Sequence, residues 1–159
     1  MENKFIVSSS PHIRSNEDTS YIMKQVILAL VPVAIAAVYY FRISALFVMF
    51  FCILGTVGSE FLYQKLTKQK STIGDCSAIV TGLLLAFNVP ASLPWWMCIL
   101  GGVFAIIVVK MLFGGLGNNF VNPALAGRAF LLASFPVAMT AWTKTGVNWV
   151  SSGSLDAVS

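Results

Sequence analysis

Five apolar segments, separated by short polar stretches, occupy most of this 159-residue chain. A helix needs roughly 20 mostly apolar residues to cross the hydrocarbon core of a bilayer, because each residue advances it by only about 1.5 Å. All segments but the third approach that length. The pattern therefore predicts an all-α integral membrane protein with about five transmembrane helices, at residues 21–43, 45–62, 77–89, 95–113 and 123–142.

Proline interrupts or limits several of these segments. The third ends at Pro90, with Pro94 close behind it, and the fifth contains Pro136. Short or proline-interrupted hydrophobic segments indicate discontinuous helices, which in transporters lie near the binding site. We therefore expect some of the helices to be discontinuous.

The composition agrees with a membrane protein. Hydrophobic residues make up 57% of the chain and charged residues only 10%, whereas a soluble domain carries about 25% charged residues. The net charge is +4, but the basic residues mostly flank the apolar segments, as orientation signals do. No basic run alternates with aromatic residues on a polar scaffold, so we set nucleic-acid binding aside.

The positions of lysine and arginine predict the orientation. Lys4, Arg14 and Lys24 lie at the N-terminal end, three lysines lie within residues 64–75, and residues 90–94 contain none. Positive charge favours the cytoplasmic side, so the N-terminus is predicted to be cytoplasmic. The predicted organisation is a polar cytoplasmic segment at 1–20, a transmembrane domain at 21–142 and an outer-side tail at 143–159.

Two acidic residues lie at the edges of apolar segments. Glu60 is near the end of the second segment and close to Lys65. We expect it at the membrane interface, either solvated or ion-paired, because a carboxylate inside the membrane is otherwise costly. Asp75 precedes the third segment and is expected to cap its first turn.

The three cysteines show no CxxC spacing, and two of them lie inside apolar segments. We expect them to be small buried residues. An iron–sulfur cluster usually needs four ligands, so this chain alone is not expected to hold one; a cluster completed by another subunit is the open alternative. The cysteines are Cys52, Cys76 and Cys98.

A glycine- and asparagine-rich stretch, residues 114–129, has the most specific pattern. Asn122 suits a helix N-cap and Pro123 suits the first helical position. The stretch therefore predicts a glycine-rich loop that becomes a helix, and such a start presents free N–H groups to an anion.

Two interpretations of this stretch remain open. One is a capping turn with small residues for helix packing; the other is a cofactor or ion site at a membrane helix terminus. Asn118, Asn119 and Asn122 supply hydrogen-bond donors and acceptors. Arg128 follows a little over one turn after the helix start, and a charge at that depth needs a partner. These four residues are the candidate cofactor-binding residues, and we identify neither a catalytic side chain nor a metal site.

Residues 114–129 closely resemble the signature of the D subunit of the Rnf complex, and are similar to that of the B subunit of the sodium-pumping NADH:quinone reductase. Residues 8–13, residues 74–86 and the Pro90 to Pro94 turn resemble the same Rnf protein. The resemblance implies a multi-pass subunit of the prokaryotic inner membrane. It acts with the other membrane, flavin and iron–sulfur subunits, and is not active alone. The Rnf assembly passes electrons between reduced ferredoxin and NAD and couples this to sodium or proton transport.

The resemblance also implies a fold and a cofactor. The family has about ten helices in two inverted halves, akin to ammonium and urea transporters, so five helices would form one half. Its D subunit carries FMN on a threonine of a Ser-Gly-Ala-Thr motif at the outer side. Residues 156–159 resemble the lead-in to that motif, which makes Asp156 a further candidate and places the threonine just after Ser159, outside this chain. A second, noncovalent flavin is a further expectation.

Two other functions are weighed against the flavin subunit. The same discontinuous helices would suit a solute channel or transporter of the ammonium or urea type. A third possibility is a structural anchor for other redox subunits.

Overall fold

The computed structural model describes residues 18–68 and 72–142, and this part of the chain is helical without any β-strand. The predicted tail at 143–159 and most of the predicted N-terminal segment lie outside the described residues. The helices are α1 (Thr19–Phe41), α2 (Ile43–Thr67), α3 (Ser77–Ala86), α4 (Trp95–Val103), α5 (Pro123–Ser134) and α6 (Pro136–Thr140). A 3₁₀ turn (Ile73–Asp75) precedes α3, and a π-helical segment (Phe104–Met111) continues α4.

Helices α1 and α2 are long and apolar enough to cross a membrane. They correspond to the first two predicted segments, and α2 continues beyond its prediction to Thr67. Arg42 joins them with a φ of 52°, which is uncommon for a residue other than glycine. No residue of α1 is buried, whereas α2 packs against α3 and α4. Helix α2 is therefore the centre of the described fold.

Helix α3 is only 10 residues long, as the position of the prolines indicated. The expected cap by Asp75 is wrong, because Asp75 belongs to the preceding 3₁₀ turn. Cys76 takes the N-cap position instead, with a left-handed φ of 58° and no side-chain cap. As a result, α3 begins at Ser77, one residue later than it would begin with Asp75 as its N-cap.

The fourth predicted segment changes its helical form part-way. It begins as α4 at Trp95 and becomes π-helical from Phe104 to Met111. π-helical turns are rare and often occur at functional sites. This stretch contains Lys110, which is 2% exposed.

The fifth predicted segment is broken. Helix α5 ends at Ser134 and the short α6 begins at Pro136, because proline cannot donate the hydrogen bond that would continue the helix. The short α3 and the divided fifth segment confirm that some helices are discontinuous. The number of membrane crossings stays a prediction.

Close contacts between α2, α3 and α4 form the core. A Cβ atom at Gly55 would lie 2.8 Å from the Ile99 Cα, and one at Gly82 would lie 2.8 Å from the Ile53 Cα. Small residues of this kind let membrane helices approach each other closely. Cys52 and Cys98 are both fully buried in this core, as expected of small apolar residues. The same expectation is wrong for Cys76, which is only partly buried because it lies in the turn before α3.

Candidate functional site

The loop between the π-helical segment and α5 folds back onto the helix it leaves. Gly114, Gly115 and Gly117 all have positive φ angles, of 102°, 92° and 92°. The Gly115 N–H donates to the Lys110 carbonyl at 2.9 Å. Glycine adopts these angles without the steric cost that a Cβ atom brings, so the loop can close tightly at this point.

The amide of Asn119 holds the loop to the π-helical segment. With its nitrogen turned towards the backbone, it donates to the Gly115 carbonyl at 3.2 Å and to the Val109 carbonyl at 3.3 Å. An amide oriented in this way by its neighbours retains its oxygen as an acceptor. Asn118 stays within the loop, where its backbone N–H donates to the Gly115 carbonyl at 3.3 Å.

Asn122 is the N-cap of α5, as predicted. Its Oδ1 accepts from the Ala124 N–H at 3.0 Å, and Pro123 takes the first helical position. The cap and the proline together fix where the loop ends and where the helix begins.

A cavity of about 400 Å³ lies between this loop and α3. Cavities that bind small molecules have volumes of roughly 300–1,000 Å³ and combine apolar walls with a few polar groups. This cavity falls within that volume range, and it is open to the surface on the side where Phe120 is 68% exposed. Its polar lining comes from Asn119, Asn122, Ser77, Thr81 and Lys110, and its apolar lining includes Leu84 and Phe120.

Lys110, which lines the cavity, belongs to a buried ion pair. The Lys110 ammonium lies 2.7 Å from Glu60 Oε2 and donates to Ser77 Oγ at 2.7 Å. Lys110 is 2% exposed and Glu60 is fully buried. A paired charge inside a membrane protein is costly to place and is a candidate functional group for that reason.

The second carboxylate oxygen of Glu60 also accepts hydrogen bonds. Its Oε1 accepts from Thr72 Oγ1 at 2.7 Å and from Gln64 Nε2 at 3.2 Å. The Thr72 N–H in turn donates to Gln64 Oε1 at 3.2 Å. The carboxylate thus links the Lys110 ammonium at the cavity to Thr72, an exposed residue in the connection from α2 to α3.

Of the two alternatives expected for Glu60, the ion-paired one is right and the solvated one is wrong, because Glu60 is fully buried. Its position at the membrane interface stays a prediction. The partner is Lys110, which is 50 residues away, and not the nearby Lys65, whose Nζ lies 5.9 Å from the centre of the Phe61 ring. One sequence signal was available: Thr56, Glu60 and Gln64 recur at four-residue intervals within an apolar helix, so they share one face. The partner itself is set by tertiary contact between α2 and the π-helical segment.

The Arg128 side chain does not line the cavity and hydrogen-bonds instead at the C-terminal turn of α3. Its Nη1 donates to Asn88 Oδ1 at 3.3 Å, and Asn88 Nδ2 donates to the Leu84 carbonyl at 2.7 Å. Asn88 therefore connects α5 to the C-terminal turn of α3. Helix C-termini favour cations, which agrees with an arginine at this place.

The model of the NQR2, RnfD, RnfE family matches residues 6–159. This chain belongs to that family. One relative is the D subunit of the Na(+)-translocating ferredoxin:NAD(+) oxidoreductase complex of Acetobacterium woodii, which is 53% identical over 139 residues, covering 87% of this chain and 44% of that protein. Another is the D subunit of the Proton-translocating ferredoxin:NAD(+) oxidoreductase complex of Clostridium ljungdahlii, which is 44% identical over 157 residues, covering 99% of this chain and 46% of that protein.

A third relative is the D subunit of the Ion-translocating oxidoreductase complex of Shigella boydii serotype 18. It is 46% identical over 140 residues, which are 87% of this chain and 40% of that protein. The chain thus spans less than half the length of these curated relatives. The family confirms the resemblance seen in the sequence, and with the apolar helices it indicates a membrane protein.

The structure brings together only some of the candidate cofactor-binding residues that were predicted from the sequence. Asn119 and Asn122 line the cavity, whereas Asn118 and Arg128 do not. Asp156 lies outside the described residues. Lys110 and Ser77 were not predicted as site residues, and the partner of Glu60 was not predicted, because their proximity depends on helix packing.

Proposed function

We propose that this chain is part of the membrane subunit of a prokaryotic redox-driven ion pump of the Rnf type. In this role, the subunit relays electrons through a flavin and couples the relay to sodium or proton translocation. The similarity to proteins named as ferredoxin:NAD(+) oxidoreductase complex subunits supports the reaction class. The cavity beside the buried Lys110–Glu60 pair is the observation in this chain that carries the proposal.

The cavity is the site that we assign to a noncovalent flavin ring. A planar heterocycle with polar edges needs apolar faces and amide hydrogen bonds, and the lining provides both. Leu84 and Phe120 would pack against the ring, and the amides of Asn119 and Asn122 would bind its edge. When bound, the flavin supplies the redox chemistry, and the protein supplies position and electrostatics. The Lys110 ammonium, whose charge is balanced by Glu60, would lie at one side of the ring.

The covalent FMN belongs to a different place. We propose that it is attached to a threonine just after Ser159, with Asp156 in the lead-in to the motif. Asp156 is outside the described residues and the threonine is outside this chain, so this assignment depends on the resemblance alone.

The remaining parts of the proposal concern assembly. We propose that the N-terminus is cytoplasmic, that the tail is on the outer side, and that the helices form one half of an inverted-repeat fold of the ammonium and urea transporter type. The short α3 and the break before Pro136 support a fold with discontinuous helices. The partners would be the other Rnf subunits.

Flavin content tests the proposal. The full-length subunit, purified natively with its complex, should show a fluorescent band under ultraviolet light after denaturation, owing to covalent FMN. Acid extraction should release a second flavin from the wild type, and Asn119→Leu should lower its amount at least fivefold. Asn118→Leu is the matched control, because Asn118 does not line the cavity. An equal loss from both variants would contradict the cavity assignment, and a non-fluorescent band would contradict the covalent one.

The discontinuous helices also keep a second candidate, a solute channel of the ammonium or urea type. Liposomes that contain the full-length subunit alone would distinguish them. Rapid uptake of ammonium or urea without a redox partner would favour the channel.

A further inference from the structure

One face of α5 is exposed along its length. Leu125 and Leu132 on this face are 50% and 43% exposed, and the alanines at 129 and 133 are exposed between and beside them. The opposite face is packed: a Cβ atom at Gly127 would lie 2.9 Å from the Gly101 carbonyl oxygen. Arg128 lies half-buried beside the exposed face. We call residues 125, 128, 129, 132 and 133 the α5 docking face.

The backbone of Arg128 lies beside the middle of the fourth predicted segment. Its neighbour Gly127 packs on Gly101, which is six residues along the helix from Trp95, or about 9 Å by helix rise. Tryptophan is enriched at the membrane interface, and the hydrocarbon core is about 30 Å thick. With Trp95 at the predicted interface, the backbone of Arg128 would be about 9 Å inside the membrane, where a lipid-facing guanidinium is unfavourable.

Within residues 18–68 and 72–142, Arg128 has too few partners for this depth. A guanidinium has five N–H donors, and the structure gives Arg128 one hydrogen bond, to the neutral Asn88 at 3.3 Å. The carboxylate of Glu60 is bound to Lys110. Arginines inside membranes pair with carboxylates or backbone carbonyls, and arginine binds a carboxylate with paired hydrogen bonds.

We propose that the α5 docking face binds a membrane-spanning helix that carries an aspartate or glutamate opposite Arg128. The alanines at 129 and 133 are one helical turn apart, so they would let that helix approach closely. The two leucines would supply the apolar contact around the ion pair.

We assign this helix to the remainder of the full-length subunit. The relatives are more than twice as long as the part that this chain spans, which is 40–46% of their length. The inference is independent of the proposed flavin site, because Arg128 does not line that cavity.

Charge reversal in the full-length subunit, expressed within its complex, tests the pairing. Arg128→Glu should lower the amount of folded subunit in the membrane at least tenfold, because it places two carboxylates together. Arg128→Lys should retain more than half. Lys65→Glu, at an exposed position of α2, is the matched control and should stay near the wild-type amount.

A selection then identifies the partner. Second-site changes that rescue Arg128→Glu should convert an Asp or Glu in a membrane helix of the same chain to Lys or Arg. Rescuing changes confined to another subunit would overturn the assignment to this chain. If folded subunit with Arg128→Met is present at the wild-type amount, the proposed ion pair is wrong. The ion pair is also wrong if the only effect of Arg128→Met is a loss of bound flavin phosphate.

Side-chain size provides a second test that does not involve charge. If a helix covers the α5 docking face, Ala129→Trp should lower the amount of folded subunit at least fivefold, whereas Ala129→Ser should not. If Ala129→Trp is tolerated as well as Ala129→Ser, the face contacts lipid and the proposal is wrong.

Discussion

Loss of Lys110 should destabilise the protein more than loss of any exposed lysine. In Lys110→Met, Glu60 Oε2 loses its 2.7 Å ammonium partner, while Oε1 keeps its bonds from Thr72 and Gln64. Removal of one partner of a buried ion pair costs about 3–5 kcal/mol, because the other charge is left buried without compensation. We expect the lower part of that range, since Glu60 keeps two of its hydrogen bonds.

A double variant measures the interaction between Lys110 and Glu60 separately from the effect of each single substitution. Glu60→Leu with Lys110→Met removes both charges, and Gln64 and Thr72 still hydrogen-bond to each other at 2.6 Å. Replacement of a whole buried pair by apolar groups is often close to neutral. We therefore expect the double variant to be at least about 2 kcal/mol more stable than the sum of the single changes would give.

Unfolding of the purified full-length protein in mixed micelles with increasing SDS would measure these free energies. Lys65→Met is the matched control, because Lys65 is exposed on the same helix as Glu60, and it should change the free energy of unfolding by less than about 1 kcal/mol. The reasoning is refuted if Lys110→Met and Lys65→Met lower the free energy of unfolding equally. It is also refuted if the change in the double variant equals the sum of the changes in the two single variants.

Three further outcomes follow from the packing. Gly82→Ala should cost about 1–3 kcal/mol in the same unfolding assay, since its Cβ would meet backbone atoms, whereas Gly58→Ala, with open space, should be neutral or stabilising; equal effects would contradict the close approach of α2 and α3. Asn122→Ala should cost about 1 kcal/mol through loss of the cap, and Asn122→Ser should restore most of it; equal stability of these two variants would exclude capping by the side chain. Mass spectrometry after maleimide treatment of the folded protein should show Cys76 modified before the other two cysteines, which are fully buried; modification of all three at one rate would contradict the packed core.

Most secondary structure could be predicted because it depends on local pattern. The apolar lengths gave α1 and α2, and the prolines indicated the short α3 and the break before α6. The capping of α5 by Asn122 was predictable for the same reason, since a cap involves residues only two positions apart. Asp75 shows the limit of this reasoning: its residue type suits a cap, but the left-handed Cys76 takes that position.

The sequence by itself determined an all-helical, membrane-type chain and the family to which it belongs, together with a loop-to-helix transition at Asn122. Only the tertiary structure decided which side chains share a site. Lys110 and Glu60 are 50 residues apart, and Arg128 and Asn88 are 40 apart, so neither contact leaves a periodic signal in the chain. The physical reason is that a buried charge needs a partner, but helix packing alone decides which polar residue is near enough to be that partner.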